Sequence, residues 1–158
     1  MDRVFTQTFG VVAALIVRDG KILLVKQAKR KGIDQGKWDQ PGGWLEVGEN
    51  LVEGAKRETR EETGYDFFPT HVLGVYSLVR TNFEQTHHAL KVVFLGDISQ
   101  EPVSELQDDI TEVAWFTPEE IMEMDLATLR DVDVKTMVEQ YLAGQQFPLE
   151  LLTHTVSS

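Results

Sequence analysis

The segment Asn50–Gly64, NLVEGAKRETREETG, constrains this chain most. Asn50 is a good helix N-cap and Gly64 a good stop, so the spacing predicts a helix over LVEGAKRETREET. At about 100° per residue, Val52, Ala55 and Thr59 form one apolar stripe with Leu51 at its edge. Glu58 and Glu62 fall on the border of that stripe, with Glu61 a little further round. Glu53, Lys56 and Arg60 point to solvent. Like charges three and four residues apart repel, and a carboxylate at the edge of a buried stripe loses hydration. A hard divalent cation resolves both conflicts, because Mg²⁺ or Mn²⁺ prefers oxygen ligands and tolerates several carboxylates.

Glutamate pairs on helices are often only a solvated face. The context here argues otherwise. Arg57 faces away from the stripe and can reach back to Glu49 in the preceding loop, through a bidentate contact that ties loop to helix. Gly42 and Gly43 allow the backbone to approach a metal or a phosphate closely.

Elsewhere the pattern is mostly of strands. VVAALIV and KILLVKQ flank Arg18-Asp19-Gly20, a strong hairpin signal. A polar loop spans Ala28 to Lys37, and WDQPGGWLEVGEN is too rich in Gly and Pro to be helical. His71–Arg80 and His87–Asp97 read as strands around a turn near Asn82. A polar loop from Ile98 to Asp109 leads to the strand EVAWF. Thr117 opens a short helix with Pro118 at its first position. Val132–Ala143 is a last amphipathic helix, followed by an extended QQFPLELL tail. The class is α/β or α+β with a partly antiparallel sheet. No repeat or linker divides the chain, so residues 1–158 are expected to form one domain.

Fifteen basic against twenty-six acidic side chains give a net charge of −11. That opposes a duplex nucleic acid partner, whose binding needs clustered Lys and Arg. A small phosphorylated substrate remains compatible, since a bound cation inverts the local field. The chain has no cysteine, which excludes disulfides, thiolate nucleophiles and cysteine-held metals. The apolar run Val11–Val17 is shorter than the roughly 20 residues of a membrane span. With no secretory pattern at its start, the chain is expected in the cytoplasm, without a membrane partner.

Written out, the acidic segment is G-x5-E-x7-R-E-T-R-E-E-T-G-Y, with Gly43, Glu49, Arg57, Glu58, Glu61, Glu62 and Gly64 at its fixed positions. It resembles the Nudix box, G-x5-E-x7-R-E-U-x-E-E-x-G-U, where U is a bulky apolar residue. Seven fixed residues at fixed spacing arise by chance at on the order of 10⁻⁸ per starting point. Thr59 and Tyr65 occupy two U positions, a departure that touches packing more than chemistry. The resemblance implies an α/β/α sandwich with a mixed, partly antiparallel sheet and the box as a loop–helix–loop. It also implies metal-dependent hydrolysis of a diphosphate linked to another moiety. On this reading Glu58, Glu61 and Glu62, with Gly43, hold Mg²⁺ or Mn²⁺. Arg57, counted with the catalytic residues, orients the site from behind the ligands, Glu49 supports it, and Glu58 or Glu61 serves as base. Glu101, Glu105, Asp108 and Asp109 are outside candidates for the base.

The proline that marks an ADP-ribose preference is absent near Val79 and Arg80. WDQPGGWLEVGENLVEGA and YLAGQQFPLELL resemble the NudJ-type group of small bacterial phosphatases, which act on nucleoside di- and triphosphates and thiamine-pathway pyrophosphates. Trp44 departs from that group, which usually has His there. Arg30, in the basic cluster Lys29-Arg30-Lys31, Trp38 and Gln40 are candidate substrate contacts. Trp38 and Trp44 can stack on a ring or anchor the loop. His87 and His88 must face opposite sides of a strand, so at most one meets a site. Tyr141 and Phe147 read as fasteners within a subunit or across a dimer, leaving a monomer or homodimer. Alternatives are oxidised-nucleotide sanitation, dinucleoside polyphosphate or ADP-ribose cleavage, and a non-catalytic nucleotide-sensing domain.

Overall fold

The computed structural model describes residues 8–28, 36–81 and 86–157. In chain order the elements are β1 (Thr8–Arg18), β2 (Lys21–Gln27), β3 (Trp38–Asp39), β4 (Gly42–Trp44), α1 (Leu51–Thr63) and β5 (Phe67–Thr81). They continue as β6 (Thr86–Ile98), β7 (Ile110–Phe116), α2 (Pro118–Glu123), α3 (Asp133–Leu142) and β8 (Phe147–Pro148), closed by a 3₁₀ turn at Leu149–Leu151. The β1–β2 hairpin turns on Asp19 (φ 51°) and Gly20 (φ 73°), the paired left-handed backbone that a type I′ turn requires.

Beyond the turn the two strands part company. The first half of β1 pairs with β4, Val12 opposite Gly43, whereas β2 runs on to pair with β7 and β3. The strand order is β3-β2-β1-β6-β5-β8, and β1 meets β6 in parallel from Thr8↔His88 to Ile16↔Gly96. The β5–β6 pairing is antiparallel, so the sheet is mixed.

Both faces of the sheet are covered, and β1 shows how. Ala13 and Leu15 bury against Leu73, Val93, Met137 and Val138 on the α2–α3 side. Val12, Ala14 and Ile16 bury against Ala55, Phe67 and Phe94 on the α1 side. This alternation is what a strand with helices on both faces requires. The fold is therefore the expected α+β sandwich. Among the described residues no helix is long and apolar enough to cross a membrane.

Some boundaries differ from the sequence expectation. β5 begins at Phe67 rather than His71, because the Phe67 ring is a core residue and pairs opposite Ile98. β7 begins at Ile110 rather than Glu112, and Ile110 is likewise buried. The Gly- and Pro-rich stretch carries the two short strands β3 and β4. Phe147 and Pro148 pair with Val72 and His71 as an edge strand. The turn near Asn82 and the loop containing Lys29, Arg30 and Lys31 lie outside the described residues.

Candidate active site

Helix α1 presents the carboxylates. The Asn50 side chain caps it by accepting the Val52 N–H at 2.9 Å, and Gly64 closes it in left-handed backbone with its N–H on the Arg60 carbonyl. Ala55 and Thr59 are buried, whereas Glu53, Lys56 and Arg60 face solvent. Glu62 goes further inward than a stripe border would place it, at only 6% exposure. Its Oε2 accepts the backbone N–H of Gly42 at 2.9 Å, which joins the helix to the β3–β4 corner. Burial pushes the Glu62 carboxyl up to about 8, against the Gly42 hydrogen bond and assisted by the charges of Asp39, Glu58 and Asp109.

Arg57 organises the remaining carboxylates. It grips Glu49 bidentately, as expected, and Nη2 also donates to the Trp44 carbonyl at 3.0 Å. Its Nη1 donates to Glu58 Oε1 at 2.8 Å and to Glu61 Oε2 at 3.2 Å, contacts the sequence reading did not anticipate. Hydrogen bonding to Arg57 holds the Glu49 carboxyl below its usual range, and that to Glu49 raises Arg57 further. Burial raises Glu58, partly offset by Arg57. Gly43 packs so tightly on Glu58 that a Cβ there would run into the carboxylate.

Two adjoining recesses open beside these groups and share Gly42, Gly43, Trp44 and Arg130. One, of about 410 Å³, is acidic, lined by Glu58, Glu61, Glu62 and Asp109. The other, of about 250 Å³, has apolar walls that include Phe9, Val11, Leu78 and Ala89, with Asp39, Gln40 and Lys91 at its polar end. Trp44 stands at the seam, 65% exposed and stacked on Phe9 at 4.6 Å.

The predicted residues separate cleanly. Gly43, Glu58, Glu61 and Glu62 come together in the acidic recess, with Arg57 and Glu49 behind them. Gln40 lines the apolar recess, buried, and its Oε1 has no partner among the described residues. Trp38 does not line either recess; it packs edge-on against Phe116 in the core, because β3 bridges to Leu129 there. Of the four loop acids, Asp109 alone lines the cleft. His87 lines the apolar recess, while the His88 ring pairs with Ser77 Oγ at 2.7 Å.

Asp39, Lys91 and Arg130 escaped the sequence reading. Lys91 and Asp133 form a buried ion pair at 2.7 Å. Asp39 accepts the Gln40 N–H at 2.9 Å and faces Arg130 at 3.5 Å; burial raises it to about 6, against the nearby cations. These groups sit far apart in the chain, and only the β1–β6 pairing and the Trp38–Leu129 bridge assemble them.

Among the described residues no three Asp, Glu or His side chains stand close enough together to hold a metal ion as they are. Glu58, Glu61 and Glu62 nonetheless each have one oxygen occupied, by Arg57 or by Gly42, and one without a hydrogen bond among the described residues. Three such oxygens border one recess, and in chemistry they are the hard donors that a divalent cation prefers.

The NUDIX domain model matches residues 7–138. The chain belongs to the Nudix family. It is 32% identical over 141 residues to the phosphatase NudJ of Escherichia coli strain K12, covering 89% of this chain and 88% of that one. A NUDIX hydrolase from Nitrosomonas europaea has a TM-score of 0.84 and 34% identity, across 96% of this chain and 100% of the other. The MutT protein of Methanosarcina mazei Go1 has a TM-score of 0.73 and 27% identity, across 90% and 98%. This Nudix protein is a hydrolase, and its α1 segment is the box that the sequence pattern marked out.

Proposed function

We propose that this Nudix hydrolase cleaves a phosphoanhydride bond in a small diphosphate-containing substrate, a nucleoside di- or triphosphate or a thiamine-type pyrophosphate. Mg²⁺ or Mn²⁺ would be held by Glu58, Glu61 and Glu62, with the Gly43 backbone alongside. The observation that carries this is Glu62, a carboxylate buried to 6% exposure yet facing a recess shared with three more carboxylates, Glu58, Glu61 and Asp109. Such crowding is costly in a protein with no use for a cation there.

When bound, the metal would neutralise phosphate charge and acidify an attacking water. The chain's own groups do the rest. Glu58 or Glu61 would take the water's proton, a reading supported by Arg57, which hydrogen-bonds both carboxylates from behind. Glu49 fixes Arg57 and so ties the β4–α1 loop to the helix. The apolar recess, below the usual 300–1,000 Å³ of ligand pockets, suits a single flat ring against Trp44 better than a second nucleoside. Kinship with a phosphatase supports release of phosphate as a product. The −11 charge supports a small substrate over duplex nucleic acid. We take residues 1–158 as one cytoplasmic domain, monomeric or homodimeric.

The test is a panel of nucleoside di- and triphosphates, ADP-ribose and thiamine-type pyrophosphates, each assayed with Mg²⁺ and with chelator. Metal-dependent orthophosphate release from a diphosphate is expected, and release of orthophosphate or pyrophosphate identifies the bond cut. No turnover on any member contradicts the reading.

A further inference from the structure

We propose that the apolar recess selects a ring carrying an amino group, and that Gln40 Oε1 accepts the N–H of that group. The proposal rests on the reading of the cleft as a diphosphate hydrolase and names the class of ring its substrate carries.

Three buried side-chain oxygens have no hydrogen-bond partner among the described residues: Gln40 Oε1, Thr59 Oγ1 and Asp133 Oδ1. Of these three residues, only Gln40 lines either recess. At 4% exposure it lies below the reach of bulk water, and a bare carbonyl oxygen at that depth has lost its hydration without a return. Its backbone is held. The Gln40 N–H donates to Asp39 Oδ1 at 2.9 Å, and the following Pro41 carbonyl accepts the Ala14 N–H at 2.9 Å. The oxygen is thus a preorganised acceptor that lacks only a donor.

The recess, of about 250 Å³, has room for one flat ring, and Trp44, stacked on Phe9, offers that ring a face. An oxo group on the ring would set acceptor against acceptor at Gln40 Oε1, whereas an exocyclic amino group is a natural partner for a glutamine side chain. Charge points the same way. Asp39 and Asp131 line this end and Asp133 stands behind Lys91, three carboxylates against the two cations Lys91 and Arg130. Both cations already have carboxylate partners, Lys91 in Asp133 at 2.7 Å and Arg130 in Asp39 at 3.5 Å. A net negative end favours a ring edge rich in N–H over one rich in carbonyls. Gly42, two residues beyond Gln40, gives its N–H to Glu62, so the ring reader and the box carboxylates stand on one corner of the chain.

The test compares diphosphates whose rings carry an amino group against those with an oxo group in its place: CDP with UDP, and ADP with IDP. With Mg²⁺, the wild type should favour the amino member at least tenfold in kcat/KM, because a site with a buried acceptor rejects a ring that leaves it bare. The pair with the larger ratio distinguishes a one-ring from a two-ring base. Gln40→Met keeps the side chain's length without a strong acceptor and should bring both ratios within twofold. Gln40→Glu keeps an oxygen acceptor and should keep the amino preference; with the wild-type ratios, it decides the matter if Gln40→Met fails to fold. Calorimetric titration with cytidine and uridine monophosphates reads the same preference without catalysis. A wild type with no amino preference in either pair, or a preference that survives in Gln40→Met, overturns the assignment. If the protein binds cytidine over uridine monophosphate yet hydrolyses no diphosphate, only the hydrolase reading fails; if it hydrolyses amino and oxo diphosphates alike, only the amino-ring assignment fails.

Discussion

Arg57 clamps both oxygens of Glu49, Nε to Oε1 at 2.7 Å and Nη2 to Oε2 at 3.1 Å, while its third nitrogen reaches Glu58 at 2.8 Å. Lysine keeps the charge but has one nitrogen and no fork. Arg57→Lys should therefore lower kcat by one to two orders of magnitude and stability by about 1–2 kcal/mol. Turnover assays and thermal melts check both. Wild-type kcat in this variant would show that the carboxylates need no organiser.

Glu62 is the carboxylate with most at stake. Glu62→Gln keeps an oxygen to accept the Gly42 N–H at 2.9 Å but removes the charge. Turnover should fall on the order of 10³-fold, the scale of losing one key electrostatic contact. The melting temperature should hold or rise, because a buried carboxylate disappears.

The same residue should couple metal binding to pH. Burial raises its carboxyl from 4.5 to about 8. Between those values the folded protein binds more protons than the unfolded chain, so stability without metal should decline as pH rises from 4.5 to about 8. Metal needs the ionised form, so Mg²⁺ affinity should climb over that range and a proton should be released on binding. Calorimetry at pH 6.5 in buffers of different ionisation enthalpy reads that proton directly. Zero release contradicts a metal at Glu62.

Thr59 occupies the box position where a bulky apolar residue is usual. Its Oγ1 is fully buried and has no hydrogen-bond partner among the described residues. Thr59→Val keeps the shape and removes the orphaned hydroxyl, so it should stabilise the protein by about 1 kcal/mol, or roughly 2–4 °C in Tm. A lower Tm would mean that the hydroxyl has a partner.

How far the chain could be read without coordinates depended on how local each signal was. The Asp19-Gly20 turn, the Asn50 and Gly64 caps and the Arg57–Glu49 reach are each set within a few residues, and each stands as expected. Of the apolar half of the cleft, only Gln40 and Trp44 were legible. Lys91 sits in an ordinary strand and Arg130 in an ordinary loop, and nothing local marks either. Only the parallel β1–β6 pairing and the Trp38–Leu129 bridge bring them to Asp39. Trp38 illustrates the same limit from the other side. Its type left open a ring platform or a buried anchor, and the long-range bridge makes it an anchor in the core, whereas Trp44 stays exposed.

The most direct measurement is an electron paramagnetic resonance titration of the metal-free protein with Mn²⁺, in which bound ion loses the sharp signal of the free one. Saturable binding in the wild type, lost or weakened at least a hundredfold in Glu62→Gln at unchanged fold, is the predicted result. Equal Mn²⁺ binding by both proteins would contradict a metal centre built on α1.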